Sequence, residues 1–470
     1  MPQWVASVRV LYSGGIVEAP PRVLFPGRLA IGRALTEQEG LALPCDAQVS
    51  RHLHAVLQCH PGSPSEPPVV EVLDGGSKNG LFVQGQPVLR HVLRDGDILR
   101  LGRSFLLFRC QPHDARLQDA VLPELPGRSA AMCRLRHQLS QAAASDASIL
   151  LLGETGTGKE LAARALHSLL RQRRTGDFVD VNCPGISDSL AEGLLFGHGK
   201  GAFTGALGEH PGFFRQADGG TLFLDEVADL SKRLQTMLLR VLEQREVQPV
   251  HTTRNIPVDF RLISATNRPL EQLSAEGRFR DDLYARLGGQ VIELPPLRER
   301  REDILLLLLH HMRKLGLAAE RNPPLSVRLT ETLLTHFWPH NVRQLVHVAR
   351  ELMQQLSSGE ELDLSPAIER LLRVEDVHRS ESASPQPSPP RSAPPSQASL
   401  DGQPPDEAGL HPGSDSSEQP LPSRESVYRL LVQMRGRVSD VAAALGMSRR
   451  KLGRVMERYG FARQQFRRPR

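Results

Sequence analysis

The stretch Leu150–Glu160, with the sequence LLLGETGTGKE, combines an apolar run, a glycine-rich turn and a lysine. The run predicts a buried strand, and the glycines predict a turn that leads from this strand into a helix. The first N–H groups of that helix can surround a polyphosphate. The residues predicted to contact the nucleotide are Gly153, Glu154, Thr155, Gly156, Thr157, Gly158, Lys159 and Glu160. Glu160 replaces the Ser or Thr that usually binds magnesium after the lysine. This segment predicts binding of ATP or GTP without indicating its purpose.

Length and composition limit the class of protein. A chain of 470 residues has room for about three domains. Its five scattered cysteines form no CxxC pair, which favours a reduced, cytoplasmic protein without a disulfide framework or zinc site. No basic-then-apolar leader opens the chain, and the longest apolar run, Ile304–Leu309, is too short to span a bilayer. We therefore expect no membrane partner.

Charge is distributed unevenly along the chain. Residues 424–470 contain 13 Lys and Arg and 3 Asp and Glu, a net charge of +10. The remaining 45 basic and 50 acidic residues give −5, and the two parts sum to the formal +5 of the whole chain. A basic end on a mildly acidic body predicts that the end alone binds nucleic acid.

Residues 1–112 contain short β-prone runs separated by turn signals, which predicts a small antiparallel sandwich. Four polar segments punctuate it, and in their order they resemble a forkhead-associated (FHA) domain. They are Ile31-Gly32-Arg33, Val49-Ser50-Arg51-His52, Ser77-Lys78-Asn79-Gly80 and Asp95-Gly96-Asp97-Ile98. The family usually has a histidine three residues after the serine, where this chain has Leu53.

The FHA resemblance implies recognition of a phosphothreonine-containing protein, such as a Ser/Thr kinase or its substrate. Arg33 and Ser50 would bind the phosphate with help from Arg51, and Asn79 would hold the peptide backbone. The alternative is a sandwich kept only for protein interaction, with Arg33 a solvated surface charge.

A second glycine-rich segment, Leu195–Ala206 with the sequence LFGHGKGAFTGA, would expose Phe203 at the tip of a hairpin. A lone loop phenylalanine more often folds back into the core. Together with GETGTGKE and a later Asp-Glu strand, however, this segment resembles the AAA+ ATPases that activate sigma-54 RNA polymerase. The resemblance implies contact with the sigma factor through Gly201, Ala202, Phe203, Thr204, Gly205 and Ala206.

The strand Thr221–Val227 (TLFLDEV) would deliver two carboxylates beside the phosphates. Asp225 would order magnesium, and Glu226 would position and polarise the attacking water. An N-cap pair at a helix start is the alternative. The resemblance implies that Asn182 restrains Glu226, and Asn267 after the strand Arg261–Arg268 would sense the γ-phosphate.

Three arginines complete the predicted ATPase. Arg280 and Arg286 resemble the arginine fingers that reach the neighbouring subunit's ATP, which implies a homo-oligomeric ring, expected to be a hexamer. Either could instead be an ordinary surface ion-pair partner. Arg343 would lie on a lid helix facing the nucleotide.

The end of the chain contains a Pro- and Ser-rich segment followed by a helix-turn-helix pattern. Residues 374–423 predict a disordered linker. In residues 424–470, two helices around Gly446-Met447-Ser448 resemble the Fis-type module of these activators. Arg449, Arg450, Lys451 and Arg454 would face double-stranded DNA, although a solvated basic face is the alternative.

The sequence therefore predicts a multidomain protein: an FHA β-sandwich, an α/β P-loop AAA+ core with an α-helical lid, and an all-α helix-turn-helix. The expected boundaries are 1–112 (FHA), 113–125 (connector), 126–296 (ATPase core), 297–373 (lid), 374–423 (linker) and 424–470 (DNA binding). The expected function is ATP-driven, Mg²⁺-dependent activation of sigma-54 RNA polymerase from an enhancer-like DNA site. The alternative is an FHA-tethered DNA-binding scaffold whose AAA+ domain only drives assembly.

Overall fold

The computed structural model describes most of the N-terminal unit, Met1–Gln386, and two residues of the unit Pro387–Arg470. The described ranges are 3–36, 38–63, 66–113, 122–170, 174–185, 188–198, 210–250, 252–356 and 361–373, with Ala442 and Leu452. Both of these last residues are helical and buried. The predicted linker, the phenylalanine loop and the four DNA-facing side chains lie outside the described residues. Within the described ranges, no helix is long and apolar enough to cross a membrane.

The N-terminal module is a sandwich of two sheets, with strand orders β2-β1-β11-β10-β7-β8 and β4-β3-β5-β6-β9. The strands are β1 Gln3–Tyr12, β2 Arg22–Val23, β3 Gly27–Gly32, β4 Gly40–Ala42, β5 Ala55–His60, β6 Val69–Asp74, β7 Leu81–Val83, β8 Gln86–Val88, β9 Arg90–Val92, β10 Ile98–Leu101 and β11 Ser104–His113. Strands such as β5 alternate buried and half-buried residues, because each sheet has one face on the core. The predicted antiparallel pairing holds except for β3 and β4, which are parallel.

The predicted ATPase core is a five-stranded parallel sheet with the order β13-β14-β17-β12-β18. Its strands are β12 Ile149–Leu152, β13 Phe178–Asn182, β14 Thr221–Asp225, β17 Arg261–Thr266 and β18 Gln290–Glu293, and a small hairpin joins β15 Glu246–Val247 to β16 Ile256–Pro257. The central strands β12, β14 and β17 are almost entirely buried, as expected where helices cover both faces, although β17 also buries Arg261, Ser264 and Thr266. Since all five strands run in one direction, their carboxyl ends gather the predicted site residues at one edge.

Helices surround this sheet and form the lid. The core helices are α1 Ala130–Ala142, α2 Lys159–Leu170, α3 Asp188–Phe196, α4 Phe213–Gln216, α5 Lys232–Gln244, α6 Leu270–Ala275 and α7 Asp281–Leu287. The lid helices are α8 Ile304–Lys314, α9 Val327–Thr335, α10 Asn341–Gln355 and α11 Pro366–Arg373. The apolar run Ile304–Leu309 is part of α8, and five of its six residues are buried. Two short 3-10 turns at residues 297–303 connect core and lid, and we call them the hinge segment.

Candidate nucleotide site and recognition surfaces

The glycine-rich loop lies between β12 and α2, at the carboxyl edge of the sheet. Gly156 and Gly158 have φ angles of 79° and 105°, which side chains with a Cβ rarely adopt. A Cβ on Gly156 would lie 2.2 Å from the His340 carbonyl oxygen of the lid. The close approach arises because the Val342 N–H donates to the Gly156 carbonyl at 3.0 Å. The loop is therefore in direct backbone contact with the lid.

Lys159 is the buried cation of this loop, with a 7% exposed side chain. Its Nζ donates to the Gly153 carbonyl at 3.0 Å and lies 3.4 Å from Glu226 Oε1. An ammonium group has three donors, so a phosphate oxygen can take a further one. A Cβ built on Gly158 would find nothing closer than Leu161 Cδ1 at 3.9 Å, which indicates open space beside the loop. The donors and the space fit the phosphates of a nucleotide.

The two predicted carboxylates lie where β14 ends. Burial raises the pKa of Asp225 above its ordinary value, and the negative charge of Glu226 adds to the effect. Glu226 adopts a left-handed backbone conformation, with φ 53° and ψ 49°, which costs a non-glycine residue energy. Its Oε2 accepts a hydrogen bond from the Asn267 N–H at 3.1 Å. The turn thus brings Glu226 to Lys159 on one side and to the end of β17 on the other.

The two asparagines occupy neighbouring strand ends. Asn267 Nδ2 donates to Thr155 Oγ1 at 3.0 Å, so this side chain links β17 to the phosphate loop. Asn182 is the last residue of β13 and pairs in register with Asp225 of β14. Its side chain is exposed, and among the described residues its amide has no hydrogen bond to Glu226. Both residues lie at the edge where the sequence analysis expects them.

The three predicted arginines occupy two different places. Arg343 is in the first turn of α10, with its Cβ 2.9 Å from the position of a Cβ on Gly156, directly over the loop. Arg280 and Arg286 lie at the two ends of α7 and are exposed. Arg280 forms an ion pair with Asp282 at 2.6 Å. The lid arginine therefore faces the loop of its own chain, whereas the α7 arginines are on the surface.

The structure adds a contact to the phosphate loop that the sequence analysis did not assign. Arg298 of the hinge segment donates two hydrogen bonds to Glu154, at 2.8 and 2.6 Å, and Asn341 Nδ2 donates to the same carboxylate at 3.1 Å. The Arg298 hydrogen bonds are the main reason that the pKa of Glu154 is lowered. The Glu154 side chain therefore joins the phosphate loop to the hinge segment and to the lid. The basic run LRERR was the available sequence signal.

Arg300 of the hinge segment contacts the backbone of the phosphate loop. Its side chain is 3% exposed, and its Nη2 donates to the Thr157 carbonyl at 3.1 Å. Burial lowers the pKa of Arg300, with the nearby Asp303 opposing the shift. At the far end of the loop, Glu160 forms an exposed ion pair with Arg164 one turn along α2, at 2.9 Å. The Glu160 carboxylate therefore pairs with a neighbouring side chain of its own helix.

The predicted sigma-contact loop lies outside the described residues, but its base does not. His198 and His210 pair as an antiparallel bridge, with two backbone hydrogen bonds of 3.0 Å. The Val250 N–H donates to the Gly197 carbonyl at 2.8 Å, so the β15–β16 hairpin region is attached to the same base. The chain segments on the two sides of residues 199–209 are therefore held together.

The predicted phosphopeptide residues gather at loops of the sandwich. Arg33 Nη1 lies 3.4 Å from the Ala47 carbonyl, and Asn79 Nδ2 donates to the Gln48 carbonyl at 2.6 Å. Ser50 is half-buried on the intervening loop, and Arg51 beside it is exposed. Exposed donors at adjacent loop tips are suited to an anionic group.

His54 holds these loops together and was not assigned from the sequence. The side chain is fully buried, Nδ1 accepts from the Ser50 N–H at 3.0 Å, and Nε2 lies 3.1 Å from the Gly80 carbonyl. Since Nδ1 accepts, the proton belongs on Nε2, which then donates to Gly80. His54 therefore supplies a buried histidine link one residue after the family's usual position, which Leu53 occupies.

Comparison with protein families agrees with this architecture. The family models that match are the Sigma-54 interaction domain over residues 125–293, the FHA domain over 29–102 and the AAA+ ATPase lid domain over 298–383. The matched ranges contain the phosphate loop, the FHA loop residues and Arg343, respectively.

Curated relatives match about half of the chain. The Nif-specific regulatory protein of Herbaspirillum seropedicae is 45% identical over 258 residues, covering 53% of this chain and 47% of the relative. The transcriptional regulatory protein GlrR of Escherichia coli is 44% identical over 249 residues, covering 52% and 54%. The chain thus spans about half the length of these two relatives.

A third relative is covered more fully. The Sigma54-dependent transcriptional regulator SfnR of Pseudomonas fluorescens is 44% identical over 254 residues, covering 53% of this chain and 68% of the relative. With a matching interaction domain and lid, and the predicted site residues of the ATPase at one sheet edge, the chain belongs to the family of sigma-54-dependent transcriptional regulators.

Proposed function

We propose that this protein hydrolyses ATP to remodel the closed complex of sigma-54 RNA polymerase, while bound to an upstream DNA site. The observation that carries the proposal is the convergence of Lys159, Glu226 and Asn267 beside a glycine loop. These groups, in a chain of this family, are those that phosphoryl transfer to water needs.

In the proposed reaction, the loop N–H groups and Lys159 hold the ATP phosphates. Magnesium, when bound beside Asp225, supplies positive charge to the phosphate oxygens. Glu226 orients and polarises the attacking water, after exchanging its contacts with Lys159 and the Asn267 N–H for that water. Asn182, which among the described residues is not hydrogen-bonded to Glu226, would restrain it after Glu226 gives up its contacts with Lys159 and the Asn267 N–H, and Asn267 responds to the γ-phosphate.

We further propose that hydrolysis requires a ring, with a hexamer as the working assembly. Arg280 and Arg286 are exposed on α7, where a neighbouring protomer can meet them. Placed at the neighbour's ATP, they would stabilise the charge that develops during transfer. Arg343 would perform the corresponding task within its own chain.

The proposed output is the segment Gly201–Ala206, with Phe203 and Thr204 touching the sigma factor. Its base is attached to the β15–β16 hairpin region, so a movement of the core has a route to the loop. Residues 424–470 would place this motor on double-stranded DNA through Arg449, Arg450, Lys451 and Arg454. The buried, helical Ala442 and Leu452 are compatible with two packed helices there.

Control is proposed to come from the FHA domain binding a phosphothreonine in a Ser/Thr kinase or its substrate. Arg33, Ser50 and Arg51 would bind the phosphate, and Asn79 would exchange the Gln48 carbonyl for the peptide backbone. The 3.4 Å contact from Arg33 to a neutral carbonyl is weaker than a charge-assisted bond to phosphate.

The deciding experiment uses Glu226→Gln in the full chain. We expect ATP binding to persist, hydrolysis to fall by a factor of at least about 100, and promoter opening by sigma-54 polymerase to be lost. Glu276→Gln, an exposed residue after α6, is the matched control. If Glu226→Gln still opens the promoter, the chain is an assembling scaffold and the motor proposal is wrong.

A further inference from the structure

The FHA domain contacts the lid through paired hydrogen bonds. Tyr12 is 2% exposed, its hydroxyl donates to the Leu325 carbonyl at 3.0 Å, and it accepts from the Leu325 N–H at 2.8 Å. Nearby, the Asn322 amide exchanges two hydrogen bonds with the backbone of Ile16, at 3.2 and 3.0 Å. Both sets satisfy buried or half-buried peptide groups in pairs, so separating the surfaces would leave those groups unpaired.

Apolar packing joins the same two surfaces. One hydrophobic cluster contains residues of the FHA domain together with the lid helices. Its FHA members are Leu11, Tyr12, Ile16, Ile98, Phe105 and Leu107. The lid therefore shares a core with the sandwich, and this end of the contact is firm.

The FHA domain also reaches the hinge segment. Arg109 is 14% exposed, forms an ion pair with Glu302 at 2.5 Å and donates to the Glu299 carbonyl at 2.8 Å. In the opposite direction, Arg301 Nη1 donates to the Gly96 carbonyl at 3.1 Å. The sandwich donates through Arg109 and the hinge segment donates through Arg301, so the hinge segment is held against the sandwich.

A third contact lies on the ATPase core. The Glu18 carboxylate forms an ion pair with Arg128 at 2.6 Å, just before α1 begins. The two side chains are 44% and 47% exposed, so this end is held more weakly than the lid end. The FHA domain is thus fastened to the core on one side and to the lid on the other.

The phosphate loop lies between those two sides. The hinge segment contacts it through the pair Arg298–Glu154, and the lid contacts it through the hydrogen bond from the Val342 N–H to the Gly156 carbonyl. A change in the position of the lid relative to the core must alter these contacts. A domain fastened to both sides therefore opposes the change.

We propose that the FHA domain is a brace across the nucleotide cleft, which keeps the lid against the phosphate loop until one of its ends is released. The brace consists of Tyr12 and Ile16 at the lid end, Arg109 at the hinge segment and Glu18 at the core end. Its consequence for nucleotide exchange depends on the proposed nucleotide binding, whereas its effect on the lid does not. When one end of the brace is released, the lid of this chain becomes more mobile and bound ADP dissociates faster.

The test measures the Val342 amide directly. This N–H is in the first turn of α10, where no helical carbonyl is available to it, so its hydrogen exchange reports separation of lid and loop. We would measure exchange in the full chain without nucleotide, and separately the release rate of a fluorescent ADP analogue. Tyr12→Phe removes both hydrogen bonds of the Tyr12 hydroxyl and so weakens the lid end without changing ring size, whereas Glu18→Arg releases the more weakly held core end.

Each of these two substitutions is expected to speed Val342 exchange and the dissociation of ADP by about threefold. Adding Arg128→Glu to Glu18→Arg should restore the parent rates, because the ion pair is rebuilt in reverse. Because weakening either end is enough to free the lid, Tyr12→Phe combined with Glu18→Arg should speed exchange by less than the product of the two single effects. Arg90→Glu, which breaks an exposed ion pair within the FHA domain, should change neither rate.

Parent rates of Val342 exchange in both single variants would overturn the brace. Faster exchange in a chain that fails to open promoters would support the brace and count against the proposed activator function. Multiplicative effects of the two releases would also overturn it, because two independent contacts, not one strap, would then hold the lid.

Discussion

The guanidinium of Arg298 and the carboxylate of Glu154 form a two-bond ion pair, at 2.8 and 2.6 Å, that joins the hinge segment below the lid helices to the phosphate loop. The Arg298 side chain is 25% exposed and the Glu154 side chain is 41% exposed, so solvent weakens the pair, although its two-bond geometry is retained. Because the loop must be in place before phosphate groups can bind, the pair makes nucleotide affinity sensitive to the lid.

Arg298→Ala is expected to weaken ATP binding by about tenfold, about 1.4 kcal/mol, because the loop loses its bidentate partner. Titration with a fluorescent ATP analogue measures the change. Arg328→Ala removes an arginine from an exposed ion pair elsewhere on the lid and should have no effect. Equal affinity in both variants would mean that Arg298 does not order the loop.

The same pair predicts a pH dependence of lid stability. The pKa of Glu154 is below its ordinary value of 4.5, chiefly because Arg298 hydrogen-bonds to the ionised form. The stabilisation is therefore complete above about pH 4.5 and is lost as the pH falls through the lowered pKa. Trp338, buried in the lid, reports unfolding by fluorescence in a Trp4→Phe background. Glu154→Gln should lessen the acid-induced decrease in melting temperature, whereas an unchanged decrease would contradict the assignment.

In the FHA domain, Arg33→Ala should weaken binding of a phosphothreonine peptide by about 30-fold, or about 2 kcal/mol, since a charge-assisted contact to phosphate is lost. Calorimetry with phosphorylated and unphosphorylated peptides measures this. Arg28→Ala, exposed at the start of β3, is the control. Retained affinity in Arg33→Ala would leave the FHA domain as an interaction module without phosphate recognition.

His54→Ala is expected to destabilise the FHA domain by about 1–3 kcal/mol, because the Ser50 N–H and the Gly80 carbonyl lose their buried partner. The loop carrying Ser50 should loosen, so phosphopeptide affinity should fall as well. The loss of near-ultraviolet signal on heating measures the stability of the domain, and calorimetry measures the phosphopeptide affinity, so the two effects can be separated. His52→Ala, on the exposed neighbour, should leave both properties intact.

For the basic end of the chain, Arg450→Ala and Lys451→Ala should each weaken DNA binding across sequences. Each lost phosphate contact reduces the slope of log affinity against log salt by about 0.9. Fluorescence anisotropy at several salt concentrations measures the slope, with Arg90→Ala as control. A slope that does not change would place these side chains away from the phosphates.

Much of the core site could be predicted because its signals are local. The run ending at Leu152 forms β12, and the residues from Lys159 onward form α2, since glycine turns and apolar runs act within a few residues of each other. Asp225 and Asn267 follow apolar strands, and a parallel sheet brings such ends to one edge. The parallel pairing of β3 and β4 was not predicted, because an alternating pattern specifies a face but not a neighbour.

The sequence by itself determined the kind of chemistry, because residue type and spacing decide which backbone groups and carboxylates a short segment can present. Only the tertiary structure decided which distant segments meet. Arg298 and Glu154 are 144 residues apart, and Tyr12 and Leu325 are 313 apart. Such contacts follow from how whole domains bury apolar surface and satisfy polar groups, which no local pattern encodes. The contacts between the FHA domain and the nucleotide cleft are a property of that packing.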